Sequence, residues 1–519
     1  MHLVLLHGYL LSGTGSNIYV YNIAKAWKQQ NHSVTVICQD HDAEKLRFVD
    51  EFIGPNDLIP QDQPKPGTIR VITPDINNLL PVYVMDEYKN FCVKTVYTMT
   101  KKEIETHINL TADVIRKISH QNIHKILVNH AIFGPSIAKK GLENTDIQYD
   151  VKIHGSAIEY ALVLYPHLMK YAIEGLSSAT NIFAGTPYVK NRVKEVFSSE
   201  KNSDIIINKL KVVPPGMDPA LFKISRNIEN NQINFITKLV HNLSKVQRGR
   251  IKNNIHIPTN ISAESLHTNL VMLGTSYNQR TPDADLFNRW QHIKEDEPVI
   301  LYFGKFINAK GIGELLMTIP EVLKRIPKAR FFFIGFGNYR EHLEALLHSL
   351  QRGNIDEVRS VAKAGNFITD IDIDTFFRKI SYNESKRILI TGYLNHQLLS
   401  ELLPLASLCI VPSKLAEAFG MVAVEAMASG VLPICNNHSG LKDVMHTVKE
   451  SYPEIAPYIS TNKNNFFNEL PDKIETALKF LYPNGFNDHD FKQNVSKKLR
   501  KISKEKYSWK GIAEELASL

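Results

Sequence analysis

The sequence predicts an α/β protein built on two doubly wound parallel sheets. Three observations lead there. Short apolar runs of strand length alternate with helical stretches from 297 to about 446, and again through the first half of the chain. Runs that are apolar on both faces belong to parallel sheets covered by helices. Several of these runs end in a glycine-containing turn that opens a helix, the arrangement of doubly wound folds. The 519-residue length suits two to four domains, and two such sheets account for most of it.

In chain order, His2 to His7 is an apolar strand. The Gly-rich loop Gly8 to Asn17 follows, then a helix from about Ile18 to Gln29 with apolar residues at 18, 20, 21, 23, 24 and 27. Ser33 to Cys38 is the second strand. Leu80 to Tyr88 is mixed apolar and aromatic, and its place in this half suggests a pocket lining. Ile126 to Asn129 is a strand ending at His130. Tyr149 to Ile153 is a strand ending in His154-Gly155, at the carboxyl edge where open α/β sheets bind ligands. Lys209 to Val213 closes this half, followed by Pro214-Pro215-Gly216-Met217-Asp218.

From about 223 to 296 the chain is polar and Asn-rich, with helical patches. Val299 to Gly304 is a buried-strand run, followed by Lys305-Phe306-Ile307-Asn308-Ala309-Lys310-Gly311 and a helix from about Ile312 to Ile326. Ala329 to Ile334 is a strand running into Gly335-Phe336-Gly337. Arg340 stands where a dinucleotide fingerprint needs its third glycine, so the motif gives poor support to NAD. After a second excess segment at about 351 to 386, Arg387 to Thr391 is a strand turning at Gly392-Tyr393-Leu394. Leu408 to Pro412 and Val431 to Cys435 are strands flanking the most informative stretch, Glu417 to Gly430.

That stretch places Phe419-Gly420-Met421 between two glutamates eight apart, Glu417 and Glu425, in small and apolar surroundings. Gly420 lets backbone approach a ligand. The helix start aims free N–H groups and a positive dipole end at an anion. Glu417 can accept hydrogen bonds from sugar hydroxyls, and Glu425 can chelate a vicinal diol such as a ribose. Most helical glutamate pairs are solvated faces, but this one lacks a polar face.

The pattern resembles the Glu-x7-Glu signature of retaining GT-B glycosyltransferases of family 4. Lys305 to Gly311 resembles the family's pyrophosphate-holding element, with Lys305 where Arg is usual, so a point charge replaces a bidentate fork. The resemblance implies that Lys305 and Lys310 stabilise the departing diphosphate. Each cation at ~4 Å is worth about 1 kcal/mol in water and about 4 at an effective dielectric of about 20. It implies that Gly392 and Tyr393 lie under the nucleobase, with backbone groups reading it. It also implies that Phe419, Gly420 and Met421 line the donor site. Asn436 to Leu441 resembles the family's Gly-Gly turn, with Ser439 in the first glycine's place. In the first half, Gly15 resembles the loop glycine packing over the donor sugar, Asn17 an acceptor contact, and His154 the histidine beside the reacting sugar. His130 reads equally well as a structural histidine or an acceptor contact. Tyr88 is a further acceptor-side candidate by position.

Hydrophobic content of 43% and charged content of 22% are ordinary for a soluble protein, and no apolar run reaches membrane-spanning length. With no cleavable signal pattern, and with cysteines at 38, 92, 409 and 435 mostly in buried strands, the expectation is a cytoplasmic protein. The net charge of +8 clusters around Lys238 to Lys252 and Lys497 to Lys506. These read as solvated helix faces, the alternative being anionic lipid at the inner membrane face or a phosphorylated acceptor. No motif supports nucleic acid. Asp370, Asp372 and Asp374 form an incidental triplet, and no metal or cofactor is expected.

The reading is an acceptor domain at 1–222, a polar linker at 223–296 and a donor domain at 297–519 with an insert at 351–386, whose last helix is a candidate to return to the first domain. The expected reaction is retaining transfer from a UDP- or GDP-sugar to a sugar, polyol or lipid-linked hydroxyl. Two rivals stand beside it: a sugar-nucleotide 2-epimerase of the same architecture, and a non-catalytic sugar-nucleotide-binding subunit.

Overall fold

The computed structural model describes residues 1–519 except 14, 85–87, 89–90, 202, 226, 246–254, 256, 259–260, 276–280, 368–372 and 462–464. The chain divides into two compact units, Met1–Gly216 with Tyr507–Leu519, and Met217–Lys506.

The first unit carries β1 (His2–Leu6), β2 (Ser33–Ile37), β3 (Glu51–Ile53), β4 (Ile69–Ile72), β5 (Leu79–Val82), β6 (Cys92–Thr95), β7 (Lys125–Asn129), β8 (Tyr149–Lys152), β9 (Ile182–Ala184) and β10 (Leu210–Val212). Eight of them form a parallel sheet in the order β10-β9-β8-β7-β1-β2-β4-β3. Side chains alternate across it, as strand geometry requires. Val4 and Leu6 enter one core, Leu3 and Leu5 the other. β5 and β6 pair as a separate two-stranded parallel sheet, which was not expected.

The chain's last helix, Trp509–Ser518, closes the second of these cores against helix Ser16–Gln29. Its opening Trp509 lies edge-on to Tyr19, ring centroids 5.6 Å apart. Trp27 donates its indole N–H to the Ala513 carbonyl at 2.9 Å. Gly216 lies flush on the Trp509 ring, where a Cβ would come within 2.6 Å.

The second unit holds β11 (Val299–Lys305), β12 (Arg330–Phe336), β13 (Ile388–Gly392), β14 (Leu408–Val411), β15 (Leu432–Asn436) and β16 (Ser460–Thr461) in one parallel sheet, ordered β13-β12-β11-β14-β15-β16. The two excess segments contribute helices to this unit. Helix Ile228–Lys245 packs on helix His396–Leu402, while Ala263–Thr275 packs on both Arg340–Arg352 and Ile355–Ala364. His267 and His342 join them by a 3.1 Å ring hydrogen bond.

Part of the basic run at 497–506 is structural. Arg500 donates to the carbonyls of Ala428 (2.6 Å) and Pro219 (2.9 Å), and Lys498 pairs with Glu454 at 2.6 Å. In the other run, Lys238 pairs with Glu401, whereas Arg248, Arg250 and Lys252 lie outside the described residues. Among the described residues, no helix is long and apolar enough to cross a membrane.

The docking of the last helix yields a stability prediction. Trp509→Ala should cost about 3–5 kcal/mol, the usual loss for a buried Trp. The check is denaturant unfolding with hydrogen exchange read along Ser16–Gln29. A cost below about 1 kcal/mol, the range of ordinary surface changes, would contradict the role given to this ring.

Candidate active site

Each sheet reverses its winding once, and the reversal leaves a crevice at the carboxyl ends of two neighbouring strands. In the second unit that point lies between β11 and β14. β11 ends at the exposed Lys305, whose carbonyl accepts a 2.8 Å hydrogen bond from the Tyr302 hydroxyl. The chain then turns at Gly311, which has a left-handed φ of 66° and lies so close to Pro412 that a Cβ would sit 2.3 Å from its carbonyl oxygen. Only glycine meets both demands. This pins the β11 turn to the end of β14.

Lys310 is thereby brought onto Glu417, and the two form an ion pair through Nζ and Oε1. Glu417 is held independently. The Ser413 hydroxyl donates to Oε1 at 2.5 Å, and the Glu417 amide donates to Ser439 Oγ at 2.8 Å. Gly440 donates its amide to the Glu417 carbonyl at 2.9 Å. His438 completes the lacing, with Nδ1 2.9 Å from Ser439 Oγ and Nε2 2.7 Å from the Ser413 carbonyl. The serine replacing a glycine thus has a function: its hydroxyl fixes the Glu417 backbone, at the expense of a φ of 49°. Beside them, Lys414 donates to the buried Glu314 at 2.5 Å.

Helix Met421–Ala428 opens at Gly420, with φ 125° and Leu441 packed where a Cβ would go. The amides of Met421 and Val422 precede its first internal hydrogen bonds, made by Ala423 and Val424 to the Gly420 carbonyl. Phe419 is buried just before it. Glu425 is 8% exposed, and burial pushes its carboxyl up to about 8. Its nearest basic neighbour is His396, 4.0 Å away, itself lowered by burial. At neutral pH Glu425 is therefore a carboxylic acid, not the ready-made carboxylate the sequence suggests.

The turn after β13 is clasped by the segment preceding β11. Tyr393 donates its amide to the Thr281 carbonyl (3.1 Å), and Asp283 donates its amide to the Thr391 carbonyl (2.9 Å). Pro282 bridges Gly392, which has φ 74°. The Tyr393 N–H, expected to face a nucleobase, is thus already used within the protein. Its ring packs edge-on to Phe336, centroids 5.5 Å apart. The buried Asp283 pairs with Arg289 at 2.6 Å and Arg340 at 2.5 Å, which accounts for an arginine where a dinucleotide loop has glycine.

In the first unit the reversal lies between β1 and β7. The side chain of Asn17, expected as an acceptor contact, is engaged within the protein. Its Oδ1 accepts from His7 Nε2 (3.0 Å), and its amide group donates to the Ser12 carbonyl (2.7 Å), locking the loop that carries Gly15 at φ 62°. His154 donates Nε2 to Asn129 Oδ1 at 2.8 Å. Burial, aided by nearby His130, Lys152 and His7, holds it well below the ordinary histidine range. The rings of His130 and His154 lie 4.9 Å apart, and His130 stacks on His7 at 5.7 Å. Tyr9 joins this cluster at 5.4 Å from His130, with Tyr88 stacked 6.4 Å beyond it.

Sequence reasoning missed Ser413, His438, His7 and Tyr9. His7 carried the signal that singled out His154, a histidine before glycine at a strand end. Of the acidic triplet, Asp374 pairs with Arg359, while Asp370 and Asp372 lie outside the described residues.

Residues 376–452, spanning both glutamates, match the family described as Glycosyl transferases group 1. An uncharacterized glycosyltransferase of Methanocaldococcus jannaschii is 26% identical over 233 residues, 45% of this chain and 47% of that protein. The sulfoquinovosyl transferase of Arabidopsis thaliana is 24% identical over 245 residues, 46% of this chain and 36% of that protein. The matched stretch thus spans about half, or less, of these curated relatives. Among solved structures, the sucrose-phosphate synthase of Thermosynechococcus elongatus superposes with TM-score 0.52 at 15% identity, covering 100% of this chain and 97% of that one. An Anabaena protein in complex with UDP and glucose gives TM-score 0.52 at 13% identity, covering 99% and 98%. At such identities the likeness is one of fold: two parallel-sheet α/β units of the GT-B type.

Proposed function

We propose that this protein is a retaining glycosyltransferase that moves a sugar from a nucleotide-diphospho-sugar, UDP- or GDP-linked, to an acceptor hydroxyl on a sugar, polyol or lipid-linked carrier. The observation that carries this reading is the meeting of Lys310 with Glu417 at the β11/β14 reversal, beside the opening of helix Met421–Ala428. The UDP and UDP-glucose complexes of the Anabaena fold neighbour support a nucleotide-sugar donor.

In this reading the Lys310–Glu417 pair is the resting partner of the donor site. An arriving diphosphate takes Lys310, with Lys305 and the Met421 and Val422 amides as further partners. Glu417, still held by Ser413 and Ser439, is then free to accept from the sugar hydroxyls. The bond from the anomeric carbon to the phosphate oxygen breaks as the acceptor oxygen bonds to the same face. The departing phosphate oxygen takes the acceptor proton. Charge grows on that phosphate during the step, so fixed cations favour the transition state over the ground state. They do the work of a metal. His154 and the Gly15 loop are the first unit's candidates for contact with the transferred sugar. Gly392 and Tyr393 pack under the base through van der Waals contact, and Glu425 receives the ribose diol.

Accepting both diol hydrogens needs the carboxylate, so donor binding draws a proton off Glu425 and tightens as pH rises toward about 8. The same proton affects the unliganded fold. The native state keeps a proton that the unfolded chain has lost, so this group's stabilising contribution is full below the unfolded value of 4.5 and is lost as pH rises through about 8. Glu425→Gln cannot ionise. Its melting temperature relative to the parent should climb from pH 5 to about pH 8 and then level off. A difference independent of pH would contradict the buried acid.

Turnover tests the cations. Lys310→Ala should lose about 2–4 kcal/mol of transition-state stabilisation, as when a preorganised charged donor is deleted. Its melting temperature should barely move, since partly exposed pairs contribute about 0–1 kcal/mol. Equal losses in rate and stability would mean a structural lysine. Transfer, or slow donor hydrolysis, should persist in EDTA. Complete loss restored by Mg²⁺ or Mn²⁺ would overturn the metal-independent step.

A further inference from the structure

The β1/β7 reversal of the first unit encloses a cavity of about 40 Å³. Its walls are mostly aliphatic and aromatic, but His107 and Thr111, one turn apart on helix Lys101–Ile118, face it together with His130. All three are more than nine-tenths buried, at 7%, 5% and 3% exposure. Among the described residues, both ring nitrogens of His130, Nδ1 of His107 and Oγ of Thr111 have no hydrogen-bond partner. Buried polar atoms in native proteins are almost always paired, so such a cluster around a cavity marks a place for a hydrogen-bonding guest. His130 also sits at φ 71°, an uncommon backbone region for a residue other than glycine. Strain of that kind tends to persist at ligand sites.

The chemistry of the guest can be read from the walls. No lysine or arginine lines the cavity. Burial keeps His107 and His7 near pH 4 and holds His130 well below the ordinary histidine range, which favours the neutral imidazole in all three. A neutral imidazole offers one donor and one acceptor, and threonine one donor and two acceptor sites, which complements a hydroxyl and not an anion. One water needs about 10–15 Å³ on this measure, so the space suits about three water-sized groups, the bulk of a hydroxymethyl arm.

Resting on the glycosyltransferase reading above, we infer that this cavity anchors the acceptor: it takes an uncharged hydroxymethyl arm of a sugar or polyol, bonded by His130, His107 and Thr111, and it excludes acceptors phosphorylated on that arm. The contact between His130 and His154 places the subsite one ring away from the histidine assigned to the reacting sugar.

The test uses the full chain with ¹⁵N-labelled histidine, titrated separately with glycerol, inorganic phosphate, UDP and GDP. Glycerol should shift the His130 and His107 ring resonances saturably, and inorganic phosphate should leave them unmoved. Thr111→Val should weaken glycerol at least tenfold, while Thr111→Ser keeps the parent affinity and guards against a folding defect. Nucleoside diphosphate binding and donor hydrolysis should be unchanged in both variants. No saturable glycerol shift, equal or tighter binding of the phosphate, or indifference to Thr111→Val would each overturn the inference. Failure of UDP and GDP to bind would instead retire the glycosyltransferase reading, because the glycerol titration reports on the cavity by itself.

Discussion

A parallel sheet that reverses its winding must leave a gap where two neighbouring strands send their chains to opposite faces. Both units gather candidate site residues at that gap. In the second unit the β11/β14 reversal alone would leave two loops side by side. The absence of a Cβ at Gly311 lets the first loop rest on the Pro412 carbonyl of the second. That contact sets Lys310 against Glu417, and Ser413, His438 and Ser439 hold Glu417 from behind. The site is preorganised with its own counter-ion. Under the proposed function, a diphosphate replaces one partner of a standing ion pair instead of ordering a free lysine, which limits the entropy lost on binding.

Glu425 follows a different logic. Helix Met421–Ala428 is apolar on nearly every side, since it runs between two strands of the sheet and the helix that follows. Burying a carboxyl there raises its proton affinity, so the group proposed to receive the ribose also holds a proton. The first unit repeats the theme with imidazoles. His7, His107, His130 and His154 are all buried, and burial lowers each of them and favours the uncharged ring, in contrast to the cationic loops of the second unit.

Much of this was legible in the sequence, because parallel strands buried on both faces read as continuous apolar runs. β1, β11 and β14 fall within a residue or two of their expected ends. The small β5/β6 sheet was hidden because Pro81 lies inside one strand and exposed Cys92 begins the other, so neither looks like a buried run. The sequence pointed to Lys310 and Glu417 separately, by residue type and spacing, and the fold brings the two together. Site residues were not legible where the fold supplies the partner: Thr281 on the Tyr393 amide and His7 on Asn17 depend on tertiary contact. The same holds for Glu425, whose residue type suggests a carboxylate and whose burial makes it an acid.

The central claim is a division of labour between the two glutamates, Glu417 for the transferred sugar and Glu425 for the ribose. Calorimetric titration of Glu417→Gln and Glu425→Gln with free UDP and GDP at pH 8 tests it most directly. The account predicts near-parental diphosphate affinity in Glu417→Gln, with donor turnover strongly reduced, and clearly weakened diphosphate affinity in Glu425→Gln. The reverse pattern, or unchanged binding and rate in both variants, would contradict it.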